Sequence, residues 1–224
     1  MRDQVNFYLN LCSRNGIEDL RFFLDSSDFY TAPCSTKFHL NKPGGLVEHT
    51  LNVVKCADRL NKNYDGLYPD ECIILAGLGH DLCKVNFYKT DDEPPTDAQV
   101  QYLRSLCSKG GVKYPEKVNK SYASTCIDHL KSMKPLPLPE FVPGYTVEDQ
   151  APLGHGEKSL FIMQKYVDLT LDEALAIRWH MATFDAGIHF QYPSGFAYNE
   201  AVKKSKLVSI ITLADIEATN LMEV

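Results

Sequence analysis

The stretch CIILAGLGHDL at residues 72–82 is the most apolar part of the sequence, and it decides the fold. Its apolar residues surround the whole circumference of a helix, which is typical of a helix buried on every side. Pro69 precedes the stretch, so the pattern predicts a central helix from Asp70 to Cys83. The end of this helix would carry His80 and Asp81, two polar side chains in an apolar interior.

Helical spacing of apolar residues continues on both sides of this central helix. It predicts helices over residues 3–13, 17–25, 46–62, 96–108, 116–132, 156–167, 171–184 and 201–221, with a loop at 186–198. The segment 26–45 contains Pro33, Pro43 and a Gly-Gly pair, so we expect it to be irregular. The fold class that follows is all-α, a helical bundle built around residues 70–83.

Residues 86–152 differ in composition from the rest of the chain. Five prolines fall between positions 135 and 152, and proline at this density blocks both helices and central strands. We interpret residues 1–224 as a single domain in which 86–152 is an inserted cap that overhangs the functional site and influences specificity. A small β-hairpin is expected within it, where Asn86–Lys89 pairs with Tyr145–Glu148.

The composition excludes several classes of protein. The 224 residues are 44% hydrophobic and 23% charged, with a net charge of −6. No apolar run approaches the roughly 18 residues of a membrane span, the first ten residues do not resemble a secretion signal, and the acidic balance disfavours long duplex nucleic acid as a partner. Seven cysteines without a CxxC pair, none at a useful spacing from a base, are typical of buried, reduced thiols in a cytoplasmic protein.

Three histidines and two aspartates fall inside apolar helix stripes: His49, His80, Asp81, His180 and Asp215. A single buried histidine is usually an ordinary core residue, but a buried carboxylate is costly unless a cation or hydrogen-bond donors meet it. Convergence on metal is the simplest explanation for all five. Imidazole and carboxylate ligands suit divalent Mn, Fe, Co, Ni or Zn, and a His-Asp dipeptide can serve two neighbouring ions.

The order of these residues resembles the HD superfamily of metal-dependent phosphohydrolases, in its six-ligand, binuclear form. HDLCK at 80–84 matches the H-D-x-x-K form of that family. DFYTAPCSTKFHLNKPGGLVEHTLNVV (28–54) and LAGLGHDLCKV (75–85) are similar to the HD domain attached to bacterial 3′-5′ exoribonucleases. GHGEKS (154–159) and IRWHMATFDAG (177–187) resemble stand-alone bacterial and phage HD hydrolases. The resemblance covers about residues 28–85 and 153–220.

The resemblance implies a fold, a metal centre and an activity. The fold would be an HD-type helical bundle. Two divalent transition-metal ions would be held by His49, His80, Asp81, His155, His180 and Asp215, with Asp81 bridging them. A metal-bridging hydroxide would cleave a phosphate ester of a nucleotide or of a short or cyclic oligonucleotide. Lys84, one turn after His80, would contact a phosphate oxygen and offset developing charge.

Two other functions share this ligand set. Some proteins with the same six ligands are mixed-valent di-iron oxygenases, and a third class would sense a nucleotide at the metals without turnover. HD-GYP cyclic-dinucleotide phosphodiesterases carry a second histidine where this chain has Met181. That difference argues against a third metal and against their particular specificity.

Two further residues are candidates for substrate binding. His39 lies in the loop before His49 and could contact substrate or protonate a leaving group; the alternative is a surface imidazole. Lys158 begins the helix after His155, where free backbone N–H groups suit an anion; the alternative is a plain capping segment. The expected partner is a small phosphate ester, with no membrane involved. An exposed face on the N-terminal helices could also pair two copies of the chain.

Overall fold

The computed structural model is mostly α-helical, as the sequence predicts, and the residues it describes include one small antiparallel sheet. It describes residues 1–36, 38–90, 93–116, 118–136, 144–182 and 192–223. The helices are α1 (Arg2–Asn10), α2 (Ile17–Ser26), α3 (Gly45–Asn63), α4 (Asp70–Gly79), α5 (Asp97–Gly110), α6 (Lys120–Lys131), α7 (His155–Met163), α8 (Leu171–Trp179), α9 (Tyr192–Lys204) and α10 (Lys206–Glu217). The strands are β1 (Tyr88–Thr90) and β2 (Tyr145–Val147).

The apolar helix α4 lies at the centre of the helical core. Every residue from Cys72 to Gly79 is buried, and α4 packs against both α3 and α8, while α10 also packs against α3 and α8. Burying a side chain such as Leu75 stabilises the fold by about 1.5–3 kcal/mol. Gly77 permits the close approach of α3, because a Cβ there would lie 2.7 Å from Cγ2 of Val54. The predicted central buried helix is therefore confirmed.

The central helix ends earlier than the apolar pattern predicts. α4 stops at Gly79 rather than Cys83, and a short 3₁₀ turn follows at Leu82–Lys84. The His80 side chain helps to end the helix, because its Nδ1 donates a hydrogen bond of 2.7 Å to the carbonyl oxygen of Gly77. Asp81 then leaves helical geometry, with φ −111° and ψ 17°. The predicted end at Cys83 was wrong because a side chain that caps a helix leaves the spacing of its apolar residues unchanged.

The C-terminal third also departs from the prediction in two places. Residues 192–198 belong to α9 rather than to the predicted loop; the proline in its first turn is compatible with a helix, since no backbone N–H is needed there. The helix predicted over 201–221 is interrupted at Ser205, whose backbone is extended. The hydroxyl of Tyr68 accepts hydrogen bonds from the backbone N–H groups of Lys206 and Leu207 and so caps α10. A π-helical turn at Ala218–Met222 follows α10.

The inserted segment 86–152 begins and ends in the two-stranded sheet. Tyr88 pairs with Val147, Lys89 with Thr146 and Thr90 with Tyr145. This confirms the expected antiparallel pairing of the two ends of the segment, although the first strand covers 88–90 rather than 86–89. The strands are not joined by a tight turn, because α5 and α6 lie between them in sequence and pack against each other around a small apolar core of their own. The role of this segment as a cap and the single-domain boundary remain predictions.

Within the described ranges, no helix combines the length and the apolar character that a membrane crossing requires.

Candidate metal centre

The six predicted ligands lie together where five segments of the chain meet. His49 comes from the second turn of α3, and His80 and Asp81 come from the end of α4. His155 begins α7, His180 follows the last residue of α8, and Asp215 lies in the last turn of α10. Neighbouring imidazole rings are separated by 5.1–5.2 Å between centroids, in the order His49, His80, His180, His155.

Asp81 lies at the middle of this group. Its Oδ1 is 2.7 Å from Nε2 of His155 and 3.8 Å from Nε2 of His180. Its Oδ2 is 3.5 Å from Nε2 of His49 and 3.7 Å from Nε2 of His80. The carboxylate therefore faces one histidine pair with each of its oxygens.

The hydrogen bonds of the outer ring nitrogens orient three of the histidines. Nδ1 of His80 donates to Gly77, and Nδ1 of His180 donates to the carbonyl oxygen of Ile177 at 2.8 Å. Nδ1 of His49 contacts the Glu223 carboxylate at 3.0 and 3.1 Å. In the neutral rings these contacts leave the Nε2 lone pairs directed at the centre, which is the tautomer that a metal-ligating histidine needs.

Two observations indicate that these residues fit a cation. Nε2 of His180 is buried and, among the described residues, has no hydrogen-bond partner. Nε2 of His49 also lies 3.2 Å from Nε2 of His80. Two lone pairs at that distance repel unless a proton or a metal ion lies between them. Buried groups of His, Asp and Cys that could hold a metal ion are thus present, and their imidazole and carboxylate atoms suit the divalent transition metals predicted.

The charges of the metal-free centre are set by burial and by the facing carboxylates. Burial acts to lower the pKa of His49, but hydrogen bonds to Asp215 and Glu223 raise it to about 9. Burial likewise opposes the rise of the His155 pKa to about 10, which is caused by Cys83 and Asp81. The pKa of His180 falls to about 3, because it is buried beside two other histidines.

A glycine brings α7 against α8 at the centre. A Cβ on Gly156 would lie 2.0 Å from the carbonyl oxygen of Arg178, so only glycine fits without a shift of the backbone. Gly156 follows His155 and Arg178 precedes His180 by two positions, so this contact is adjacent to both ligands. The H-G dipeptide at 155–156 is visible in the sequence. The packing role of Gly156 is not, because the residue that it contacts, Arg178, lies 22 positions away.

Five of the six predicted ligands, all except His80, line a cavity of about 440 Å³. Lys84 lines it, with Nζ 2.6 Å from Oδ2 of Asp81. Burial acts to lower the pKa of Lys84, but the Asp81 carboxylate holds that pKa well above its ordinary value, so the ammonium stays charged. His39 also lines the cavity, with its ring centroid 5.2 Å from that of His49. The structure thus places both Lys84 and His39 beside the ligands.

Lys158 is placed differently from the other predicted site residues. It is buried, forms an ion pair with Asp149, and lies with Nζ 4.6 Å from the ring centroid of Phe87. It lines a smaller recess of about 170 Å³, which shares Lys84, Tyr88 and His155 with the larger cavity. The ammonium of Lys158, which was predicted to bind an anion, is therefore already paired with the carboxylate of Asp149, the second residue after β2.

Three residues beside the centre escaped the sequence analysis. Sγ of Cys83 lies 3.5 Å from both ring nitrogens of His155, and Sγ of Cys34 lies 3.3 Å from Nε2 of His39. Glu223 contacts His49. The sequence shows no cysteine at a useful spacing from a base, but the fold brings Cys83 beside His155 and Cys34 beside His39. All seven cysteines are free thiols, and six of them are buried, the exception being Cys12. Cys83, inside the HDLCK motif, is the one with a visible sequence signal.

Comparison with known proteins adds one finding. Residues 86–134 match the model of a family described as a protein of unknown function, DUF3072. The match lies within the inserted segment and covers well under half of the chain, so it does not describe the part that carries the ligands. Searches of curated proteins and of solved structures found no match.

Proposed function

We propose that this chain is an HD-type metal-dependent phosphohydrolase that cleaves a phosphate ester of a nucleotide or of a short or cyclic oligonucleotide. One observation carries the proposal. The six residues whose order resembles the HD ligand set lie together: Asp81 faces the four histidines, and Asp215 lies 3.3 Å from Nε2 of His49. Five of them, all except His80, line a cavity that Lys84 also lines. Metal ligands beside an accessible cationic side chain suit hydrolysis of an anionic ester.

The residues of the centre would have different roles in such a reaction. Two divalent cations, when bound, would supply Lewis acidity that lowers the pKa of water and polarises the phosphoryl group. His49, His80, Asp81 and Asp215 would hold one of them. Asp81, His155 and His180 would hold the other.

Lys84 would contact a phosphoryl oxygen from the cavity wall. A fixed ammonium aimed at developing negative charge lowers the barrier without reorganisation. Its pairing with Asp81 holds the ammonium at the cavity wall. His39 lines the same cavity and would contact the substrate or its leaving group.

The cavity supports a small ester as the substrate. Its volume of about 440 Å³ falls within the range of about 300–1,000 Å³ typical of small-molecule sites. Phe38 and Tyr88 line it along with the apolar side chains of Met181 and Ile216. An aromatic and apolar wall next to a cation and metal ligands suits a base joined to a phosphate.

The test is hydrolysis of one chromogenic phosphodiester and one chromogenic phosphomonoester. Purified protein is stripped with chelator and reloaded separately with Mn²⁺, Fe²⁺, Co²⁺, Ni²⁺, Zn²⁺ or Mg²⁺, with Asp81→Ala as the control. We expect turnover with at least one transition metal and its loss in the variant. Retention of two metals without hydrolysis of either ester, or equal turnover by Asp81→Ala, would overturn the proposal. Oxygen consumption by the iron-loaded protein would instead favour an oxygenase.

A further inference from the structure

Glu223, a buried carboxylate outside the predicted ligand set, contacts the outer ring nitrogen of His49. Oε1 and Oε2 of Glu223 lie 3.1 and 3.0 Å from Nδ1 of His49. Oε1 also accepts a hydrogen bond of 3.0 Å from Nδ2 of Asn52, one turn further along α3. The Glu223 side chain is only 1% exposed. A buried carboxylate with two directed contacts is held in one position, which is the property required of a residue that orients another.

His49 needs an acceptor on another segment of the chain, whereas His80 and His180 do not. His80 and His180 stand at the ends of α4 and α8, so each can donate to a free carbonyl oxygen three residues earlier. His49 lies inside α3 (Gly45–Asn63), where the carbonyl groups accept helix hydrogen bonds. Its Nδ1 must therefore find an acceptor on another segment, and Glu223 supplies it.

The two acceptor types differ in their effect on a ligand. A carbonyl oxygen fixes the tautomer and the ring orientation, whereas a carboxylate also makes the ring a stronger electron donor. Glu223 adds a third negative charge to those of Asp81 and Asp215, and this charge attracts cations. Glu223 and His49 lie far apart in the sequence. The π-helical turn Ala218–Met222 packs against α3 and so brings Glu223 to His49.

We infer that Glu223 is a positioning residue of the metal centre, which fixes His49 with Nε2 toward the ion and strengthens that bond by its charge. The inference rests on the metal-binding half of the proposed function and is independent of the substrate. It also gives the segment after α10 a part in metal binding that no ligand motif indicates.

The test compares Glu223→Gln with Glu217→Gln. Gln preserves the shape of the side chain but removes the charge. Glu217 is the control because it lies at the end of α10 and its carboxylate forms an ion pair with Arg59. The measured quantity is the dissociation constant for Zn²⁺ and Mn²⁺, by competition with a chromophoric chelator, alongside the melting temperature of the metal-free protein.

We expect Glu223→Gln to weaken metal binding about 10- to 100-fold, with Glu217→Gln within about twofold of the unsubstituted protein. In the Zn²⁺ protein, the ¹H resonance of His49 Nδ1–H, assigned by its absence in His49→Gln, should move upfield in Glu223→Gln. That shift reports the hydrogen bond itself, which a general loss of stability would not change. Asn52→Ala, which removes a donor to the carboxylate, should weaken binding in the same direction by a smaller factor and serves if Glu223→Gln does not fold.

Equal affinity in Glu223→Gln, or an equal loss in Glu217→Gln, would overturn the inference while leaving the proposed function intact. Absence of divalent metal binding by the unsubstituted chain would overturn both.

Discussion

Nε2 of His49 faces Nε2 of His80 across 3.2 Å, although the two residues lie 31 positions apart on different helices. The outer nitrogens of both rings are occupied, one by a carboxylate and the other by a backbone carbonyl. In the neutral rings the facing atoms are then both acceptors. Two acceptors at this distance repel unless a proton or a cation lies between them.

Lys84 should act on the reaction rather than on metal binding. Lys84→Met keeps most of the side-chain stem and removes the ammonium that lines the cavity. We expect kcat/KM for the chromogenic ester to fall about 100-fold, the size of effect typical of losing one electrostatic contact to the transition state. Metal content should be unchanged. Loss of both ions would contradict this role and make Lys84 a structural partner of Asp81.

Lys158 provides the contrast to Lys84. Its ion pair with Asp149 and its contact with Phe87 tie α7 to residues beside the two strands. Lys158→Met should therefore lower the free energy of unfolding, measured in urea, and change kcat/KM by less than about threefold, because no transition-state contact is lost. If folded Lys158→Met protein instead lost as much activity as Lys84→Met, this prediction would be wrong and Lys158 would be a substrate-binding residue.

Metal binding should release protons, and the affinity should rise with pH. His49 and His155 have pKa values of about 9 and about 10 in the metal-free protein, so both rings are protonated at pH 7. Ligation requires the neutral ring, so each displaced proton makes affinity rise about tenfold per pH unit below its pKa. We expect a slope of one to two protons between pH 7 and 9, which flattens above about 10. Calorimetry in buffers of different ionisation enthalpy measures this number, and a slope of zero would contradict the assignment.

The contact between α7 and α8 should tolerate no side chain at Gly156. The Cβ of Gly156→Ala would lie 2.0 Å from the carbonyl oxygen of Arg178, so the helices must separate. We expect a destabilisation of about 1–3 kcal/mol and weaker metal binding, because His155 and His180 move apart. Gly110→Ala is the matched control: its Cβ would meet only an ordinary contact at 3.6 Å. Equal metal affinity in both variants would show that the close contact is unimportant for the centre.

A buried ion pair should stabilise the helix that carries His180. Arg14 forms hydrogen bonds of 3.0 and 3.1 Å with the two oxygens of Glu173, whose side chain is 0% exposed at the start of α8. Glu173→Gln should cost about 2 kcal/mol of unfolding free energy, because a charged hydrogen bond to a buried group is lost. The exposed pair Lys113 and Glu116 is the control, since Glu116→Gln should produce no measurable change. Similar urea midpoints for the two variants would contradict this.

Much of the fold followed from local patterns in the sequence. The all-round apolar character of residues 72–79 predicts a central buried helix, and α4 is one. The proline-rich composition of 86–152 separates the insertion from the helical core, and the pairing of its two ends was also predicted. Helix ends were less predictable. α4 ends at Gly79, where the His80 side chain caps it, and a cap of this kind does not change the spacing of apolar residues. α9 begins at Tyr192, in a stretch whose composition predicts a loop.

The candidate centre was predictable only where ligands lie on apolar faces or in a motif. His49, His80 and His180 are polar residues in apolar stripes, and the structure brings them together. Glu223 has no such signal, because its partner is 174 positions away. The pairing of Lys158 with Asp149 was missed for a related reason. A free lysine at a helix start and a paired one look the same in sequence.

We predict that two divalent ions are held by His49, His80, Asp81, His155, His180 and Asp215. The most direct measurement is the metal content of the chain after equilibrium dialysis against Mn²⁺ or Co²⁺, determined by mass spectrometry for the unsubstituted protein and for Asp81→Asn. Because Asp81 faces all four histidines, the account predicts about two ions per chain in the first, as in two-metal sites, and loss of both from the variant. A metal-free unsubstituted protein, or equal metal content in Asp81→Asn, would contradict it.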